Sequence, residues 1–204
     1  MADLRLPARP KNSQQPITQA APLVLFLHGG FWRATYDRAH TGPLAEALTA
    51  DGFAVCAPEF RRTGQPGGGW PGTFDDVAAA VDALPGLVSK AAAGRVDPGR
   101  LLLAGHSAGG HLALWTASRH RLPPGTPWSA PTSSIQAVVA LAAVSDLSAC
   151  YRLRLGSGAV ADLLGGGPNT HGGRYAQPTR LACCPAGRPF GSCTAAPMTW
   201  CRAI

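Results

Sequence analysis

The segment LLLAGHSAGGHLALWTA, residues 101–117, is the part of the sequence that decides the fold. An apolar strand enters it and a helix leaves it, and between them residues 105–109 match the pattern G-x-S-x-G. In such a strand–turn–helix, a sharp turn exposes the serine hydroxyl at the helix N-terminus, and the glycines leave room for neighbouring backbone. The segment therefore predicts a nucleophile elbow with Ser107 at its crest, rather than a glycine-rich turn with an idle serine.

Strands and helices alternate around this segment. Their order predicts an α/β fold in which a mostly parallel sheet carries helices on both faces. ADLRLP, residues 2–7, is expected to form an edge strand. The predicted inner strands lie at 23–27, 53–60, 101–105 and 135–144, and the predicted helices at 41–52, 73–94 and 109–120.

The net charge of +7 raises the hypothesis of nucleic-acid binding. The charges are scattered, however, and Arg61-Arg62 is the only adjacent basic pair. Four arginines follow Asp162 without any acid, and without them the charge falls to +3. We therefore expect no nucleic-acid partner. No apolar run approaches the length of a membrane span and the N-terminus has no apolar signal core, so we expect no membrane association and a cytoplasmic location.

The six cysteines do not predict a metal site. Cys56 and Cys150 lie among apolar residues and are expected to be small buried hydrophobes. The other four crowd beyond residue 182 without the C-x-x-C spacing that a zinc site uses. The glycine-rich GQPGGGW lacks the G-K-[ST] of a phosphate loop, and GSGAVADLLGGG lacks the strand that dinucleotide binding requires. We expect no metal and no cofactor.

LHGGFW, residues 27–32, gives the second signal of chemistry. A tetrahedral intermediate needs two N–H donors aimed at its oxyanion. With the elbow downstream, the N–H of Ala108 is predicted to supply one donor and that of Gly30 or Phe31 the other. His28 is expected to pin this loop by hydrogen bonds rather than to act as a base. The alternative is that H-G-G is simply a common turn.

Three separated blocks carry a family resemblance: LHGGFW, PEFRRTGQPGGGWPGTFDDVAAAVDAL and VDPGRLLLAGHSAGGHLAL. Over roughly residues 2–175 the chain resembles bacterial α/β-hydrolases of the esterase and kynurenine-formamidase-like group. The resemblance implies a serine hydrolase that acts on a small-molecule ester or amide through an acyl-serine intermediate. It also implies that the glycine-rich loop at Trp70-Pro71 borders the active site, which makes Trp32 and Trp70 candidates for the substrate pocket. Esterase and formamidase activity both stay open, as does the oligomeric state.

A serine nucleophile needs a base and an acid that orients it, in the chain order Ser, Asp or Glu, His. His111 and His120 lie on or just after the elbow helix and are expected to be structural. Asp146 follows a predicted strand and His171 lies in a later loop, whereas the usual acid of the family comes one strand later. This pair is one possible dyad, and the other possibility is a helix-capping aspartate and a loop histidine.

The sequence beyond Tyr175 has neither the Leu-Leu-Pro nor the His-Gly-x-x-Asp-x-x-Val-Pro loop in which the family carries its catalytic Asp. Read one nucleotide earlier, the codons of Met198-Thr199 give Asp and those of Trp200-Cys201 give Val. With G or C in third positions, that frame can spell His-Gly-Gly-Ala-Asp-Asp-Val-Val-Pro. We therefore expect an incomplete α/β-hydrolase domain at residues 1–176, with its C-terminal strands missing, and an aberrant, frameshifted and disordered tail at residues 177–204. The alternative is a genuine variable tail.

This interpretation has two consequences. Without a triad Asp and His the chain is expected to be inactive or nearly so, and a non-catalytic remnant or binding module on a hydrolase scaffold is the alternative function. Residues 137–144 are also expected to form an unprotected apolar sheet edge.

Overall fold

A six-stranded sheet forms the centre of the protein, with the strand order β1-β3-β2-β4-β5-β6. This computed structural model describes residues 1–8, 20–130 and 135–179 and the backbone of residues 201–202. The strands β2 to β5 run parallel, and β1 and β6 pair antiparallel at the two edges. The strands are β1 Ala2–Arg5, β2 Ala21–Leu27, β3 Ala54–Pro58, β4 Val96–His106, β5 Ile135–Leu141 and β6 Cys201–Arg202.

Six α-helices accompany the sheet within the described residues. They are α1 Gly42–Ala50, α2 Gly72–Ala91, α3 Ala108–Ala117, α4 Leu147–Arg152, α5 Ala159–Leu164 and α6 Pro168–Thr179. Short 3-10 turns lie at Arg38–Thr41 and Arg119–Arg121. Within the described part of the chain, no helix combines the length and the apolar character that a membrane crossing requires.

The alternation of side chains along β2 divides the core into two layers. Leu23, Leu25 and Leu27 face the layer that contains α2 and α3, while Val24 and Phe26 face the layer that contains α1. A register slip of one residue would exchange these two sets, so the burial of both faces fixes the register. The predicted α/β fold, with a mostly parallel sheet and helices on both faces, is confirmed.

The connections on either side of β2 place two loops together. The chain passes from β2 to β3 on one side, and then crosses back so that β4 lies on the other side of β2. Leu27, the last residue of β2, is in register with Gly105 near the end of β4. In open parallel sheets, the crevice at such a reversal, outside the carboxyl ends of the strands, is where ligands bind. The loop after β2 and the elbow after β4 meet at this crevice.

Several predicted elements agree with the structure and others need correction. The edge strand at the N-terminus is confirmed, and α1 begins directly after Thr41, within the range predicted for the first helix. His171, which was expected to lie in a loop, lies instead at a kink within α6. The expectation of an open edge along β5 is wrong at Ala137 and Val138, which pair with the backbone of β6. Of the predicted aberrant tail, residues 180–200 and 203–204 lie outside the described residues.

The elbow is built by close contact between α3 and the strands. A methyl group at Gly109 would collide with the carbonyl oxygens of Leu27 and His28, and one at Gly105 would collide with the carbonyl of Gly109. The absence of side chains at 105 and 109 therefore lets the start of α3 rest on the end of β2. The expectation that these glycines leave room for neighbouring backbone is confirmed.

Substitution of Gly109 by alanine tests this contact. We expect Gly109→Ala to lower the free energy of unfolding by about 3 kcal/mol, because the added methyl must push α3 away from β2. Gly86→Ala is the matched control. Gly86 lies in α2 with open space around the position of a methyl group, so the change is expected to stabilise the protein by roughly 0.5–1 kcal/mol. Urea denaturation of both variants measures the difference, and equal stabilities would contradict the proposed contact.

Candidate active site

Ser107 lies between the end of β4 and the start of α3 in a strained backbone conformation. Its φ of 54° and ψ of −116° are unusual for a residue with a side chain. Hydrogen bonds hold it there, because its N–H donates to the carbonyl of Leu141 at 2.8 Å and its own carbonyl accepts from the N–H groups of His111 at 3.0 Å and Val144 at 3.3 Å. The backbone at Ser107 is thus fixed by the segment at the end of β5 and by the first turn of α3.

The loop after β2 passes directly beside this serine. A methyl group at Gly29 would lie 3.4 Å from the Cβ of Ser107 and 2.9 Å from the carbonyl oxygen of His106. Only a residue without a side chain fits between the two segments at this point. The backbone that follows Gly29 therefore runs within reach of a group bound at Ser107.

Three successive residues of this loop have positive φ: Gly30 at 111°, Phe31 at 50° and Trp32 at 56°. The turn is closed by a hydrogen bond from the N–H of Arg33 to the carbonyl of Gly30, at 3.0 Å. A second bond, from the N–H of Thr63 to the carbonyl of Trp32 at 2.8 Å, ties the loop to the segment after β3. The loop is thereby held in a conformation that an isolated chain avoids.

The N–H groups of the predicted oxyanion hole are not used elsewhere. Within the described residues, those of Gly30, Phe31 and Ala108 donate to no protein acceptor. The N–H of Ala108 is in the first turn of α3, where a helix leaves its donors free and favours negative charge. These donors lie on the two segments that meet beside Ser107, so the arrangement is suited to binding an anionic oxygen.

His28 fixes the loop after β2 through contacts at both of its ring nitrogens. Its side chain is 1% exposed and its ring stacks on Phe60 at 4.4 Å between centroids. Nδ1 lies 2.8 Å from the carbonyl oxygen of Gly29 and Nε2 lies 3.0 Å from Oε1 of Glu59. Burial lowers the pKa of His28, against the opposing effects of the Gly29 carbonyl and Glu59. These contacts are those of a residue that pins the loop.

Glu59 is a residue of the site that the sequence analysis missed. It follows β3 directly, as His28 follows β2, and parallel neighbours bring their carboxyl ends to the same edge of the sheet. The signal was present as an acid at the end of the predicted strand 53–60, shortly before the pair Arg61-Arg62. Recognising it requires knowing that β2 and β3 are neighbours.

The possible dyad of Asp146 and His171 is not assembled. Oδ1 of Asp146 accepts from the N–H of Ala149 at 2.8 Å and caps α4. Nδ1 of His171 lies 2.8 Å from the hydroxyl of Thr170 at the kink of α6. The two side chains form no ion pair or hydrogen bond with each other. The structure thus favours the capping aspartate, the alternative that the sequence left open.

The remaining histidines after Ser107 are structural, as expected. His111 is fully buried, its ring edge-to-face with Trp32 at 5.3 Å, and burial lowers its pKa to about 3. The exposed His120 places Nδ1 3.0 Å from the carbonyl of Ala117. Among the described side chains, none forms a hydrogen bond with the Ser107 hydroxyl.

The two tryptophans proposed to line a substrate pocket have other roles. Trp32 is only 1% exposed and packs in the core against His111, so its assignment to the pocket is wrong. Trp70 is partly buried and packs edge-to-face on Trp128 at 4.8 Å, with the guanidinium of Arg174 5.8 Å above its ring. The resemblance places these loops near the site but does not indicate which way the ring of a tryptophan faces.

The segment between α4 and α5 contacts the loop after β2. A methyl group at Gly156 would lie 2.5 Å from the ring of Phe31, so the two are in close contact. Arg33 donates to the carboxylate of Asp162 at 3.0 Å and to the carbonyl of Ser157 at 3.2 Å. Within the described residues, no group of three or more His, Cys, Asp or Glu side chains is placed to hold a metal ion.

Comparison with known proteins agrees with this geometry. A curated relative, the "Probable carboxylic ester hydrolase LipM" of Mycobacterium tuberculosis (strain ATCC 25618 / H37Rv), is 29% identical over 135 residues, which cover 65% of this chain and 30% of the relative. The chain therefore spans less than a third of the length of that protein. A family model described as BD-FAE matches residues 8–177.

Solved structures share the fold. A bifunctional GH43-CE protein of Bacteroides eggerthii has a TM-score of 0.59 at 22% identity and covers 87% of this chain and 26% of its own. Esterase Est2 of Thermogutta terrifontis with bound propionate has a TM-score of 0.57 at 23% identity. The match covers 87% of this chain and 60% of the esterase chain. At these identities the likeness shows the fold alone, and it confirms the α/β-hydrolase fold. Because the family model spans most of the sequence, the chain belongs to the BD-FAE family.

Proposed function

We propose that the function of this domain is hydrolysis of a small-molecule carboxylic ester or amide through an acyl-Ser107 intermediate. The observation that carries the proposal is the position of Ser107, strained and half-buried directly after β4, beside N–H groups of Gly30, Phe31 and Ala108 that donate to no acceptor in the described part of the chain. The relative named as a carboxylic ester hydrolase supports an ester as the substrate class.

The proposed reaction has two halves. Oγ of Ser107 attacks the carbonyl carbon, and the carbonyl electron pair moves onto oxygen, which accepts hydrogen bonds from Ala108 and from Gly30 or Phe31. Collapse of this intermediate breaks the bond to the leaving group, which takes up a proton and departs as an alcohol or amine. Water then attacks the acyl group and releases the acid, and the serine regains its proton.

The proton of Ser107 has no evident acceptor within the described residues. His111 is a weak base because burial lowers its pKa to about 3, and His171 lies against Thr170. We therefore propose that this chain acylates slowly, since an enzyme without its triad base keeps only the roughly 10³–10⁴-fold acceleration of the oxyanion hole and binding. A binding module on a hydrolase scaffold remains the second candidate function.

Reaction with a fluorophosphonate probe tests the nucleophile. We expect slow labelling of the purified chain at Ser107, because the hydroxyl lies beside the proposed oxyanion donors but is not activated by a base. Ser107→Ala should abolish the label, and intact-mass spectrometry measures both rates. Equal labelling of the two proteins would refute Ser107 as the nucleophile, and labelling within seconds would show that a base acts on it.

The variants Asp146→Asn and His171→Ala test the unassembled dyad. We expect each to label at Ser107 within twofold of the unmodified rate, because neither side chain contacts the serine or the other. Asparagine is as good a helix N-cap as aspartate, so the first variant also keeps α4 intact. A tenfold loss in either variant, with an unchanged melting temperature, would establish a catalytic role.

We further propose that residues 177–204 are a frameshifted translation of the segment that would carry the catalytic Asp. This proposal concerns a segment that lies largely outside the described residues and is supported by the hidden His-Gly-x-x-Asp pattern. Sequencing of the coding DNA across codons 174–204 tests it. We expect a one-nucleotide repair to open a frame through Asp and on to His, and the repaired protein to label far faster. A frame that closes before this Asp would refute the idea.

A further inference from the structure

The imidazole of His28 links the carboxylate of Glu59 to the loop after β2. Its Oε1 lies 3.0 Å from Nε2 of His28, and Nδ1 of the same ring lies 2.8 Å from the carbonyl oxygen of Gly29. The ring is held in place by stacking on Phe60 and is 1% exposed. Because both partners are acceptors, the two hydrogen bonds from the end of β3 to the Gly29–Gly30 peptide form together when the ring carries a proton on each nitrogen.

Two arginines fix the orientation of this carboxylate. Nη1 of Arg38 lies 3.2 Å from Oε2, and Nη2 of Arg62 lies 3.4 Å from Oε1. Arg38 is itself paired with Asp3 of β1 at 3.0 Å. Burial opposes the ionisation of Glu59, but the interactions with His28, Arg38 and Arg62 outweigh it and hold its pKa below the usual value. Glu59 is therefore an ionised group held from several directions.

The geometry of a peptide bond carries this constraint to the proposed oxyanion donor. The carbonyl of Gly29 and the N–H of Gly30 belong to one planar trans peptide and point in opposite directions. Once His28 holds the carbonyl, the direction of the N–H is set. Gly29 and Gly30 have few steric restraints of their own, so an external contact is needed to choose one orientation of this peptide.

The geometry points to Glu59 as a positioning residue for hydrolysis: through His28 it orients the Gly29–Gly30 peptide so that the N–H of Gly30 faces the oxyanion. This inference rests on the proposed function of Ser107 for its consequence in catalysis, but not for the orientation of the peptide. Removal of a whole oxyanion donor costs about 10²–10³ in rate, so a misdirected donor is expected to cost about tenfold.

The test compares Glu59→Ala with Glu59→Gln and a matched control. Glu59→Ala removes the partner of Nε2. Glu59→Gln restores a hydrogen bond to Nε2 in either proton state, because an amide can both donate and accept. Asp76→Ala is the control, because Asp76 is likewise a carboxylate paired with an arginine, Arg61 at 2.7 Å, and has no contact with the loop.

We expect Glu59→Ala to lower the rate constant of acylation by p-nitrophenyl acetate about tenfold with KM unchanged within twofold, and Glu59→Gln to recover most of the rate. Asp76→Ala should change neither constant, even where it lowers the melting temperature. A loss of stability alone would lower the melting temperature, but it would not lower the acylation rate constant of the folded protein while leaving KM unchanged. If Glu59→Ala does not fold, Glu59→Asp, which withdraws the carboxylate by one methylene, replaces it. An unchanged acylation rate in the folded variant would overturn the inference.

The amide signal of Gly30 in ¹H–¹⁵N spectra gives a measurement that does not depend on catalysis. We expect it to shift in Glu59→Ala and to return in Glu59→Gln, and an unmoved signal would overturn the inference. If the unmodified chain acylates no faster than Ser107→Ala, the proposed function fails, and the Gly30 signal still decides whether Glu59 positions the peptide.

Discussion

The contact between the start of α3 and the end of β2 is the constraint on which the site depends. Gly109 lies against the carbonyls of Leu27 and His28. One contact therefore positions both the turn at Ser107 and His28, the first residue after β2. The two segments meet because β2 and β4 are neighbours at the point where the connections reverse. Packing of the backbone thus brings Ser107 and the N–H groups of Gly30, Phe31 and Ala108 to the same place in the fold.

The two buried histidines, His28 and His111, differ in the polar partners of their ring nitrogens. His28 has polar partners on both ring nitrogens and is joined to a carboxylate braced by arginines. His111 lies among Trp32, Phe74 and its own helix, and neither ring nitrogen has a hydrogen-bond partner within the described residues. The desolvated ring of His111 stays neutral and fills space, whereas His28 can transmit an orientation. Burial alone therefore does not identify a histidine that takes part in a site.

The sequence predicted the elements whose signals are local. The strand–turn–helix around residues 105–109, the strand β2 and the α/β order follow from apolar runs, glycine spacing and turn residues, and the structure agrees with them. Glu59 escaped prediction because its role depends on β2 and β3 being adjacent, which is a non-local fact. Trp32 was misassigned because a family resemblance places a loop near the site but does not indicate whether a large ring in it faces substrate or core. The helix at 168–179 was missed because its glycine-rich sequence has weak helical propensity, which packing of Tyr175 into the core overrides.

The backbone conformation of Ser107 has a consequence for protein engineering. A residue with a side chain at a φ of 54° and a ψ of −116° costs on the order of 1–3 kcal/mol, which glycine would largely avoid. Directed evolution that screens only for thermal resistance or expression yield should accordingly converge on glycine at this position and discard the hydroxyl. A screen that retains a chemical readout would keep the serine and accept the lower melting point, so the residue recovered at position 107 reports which pressure the library experienced.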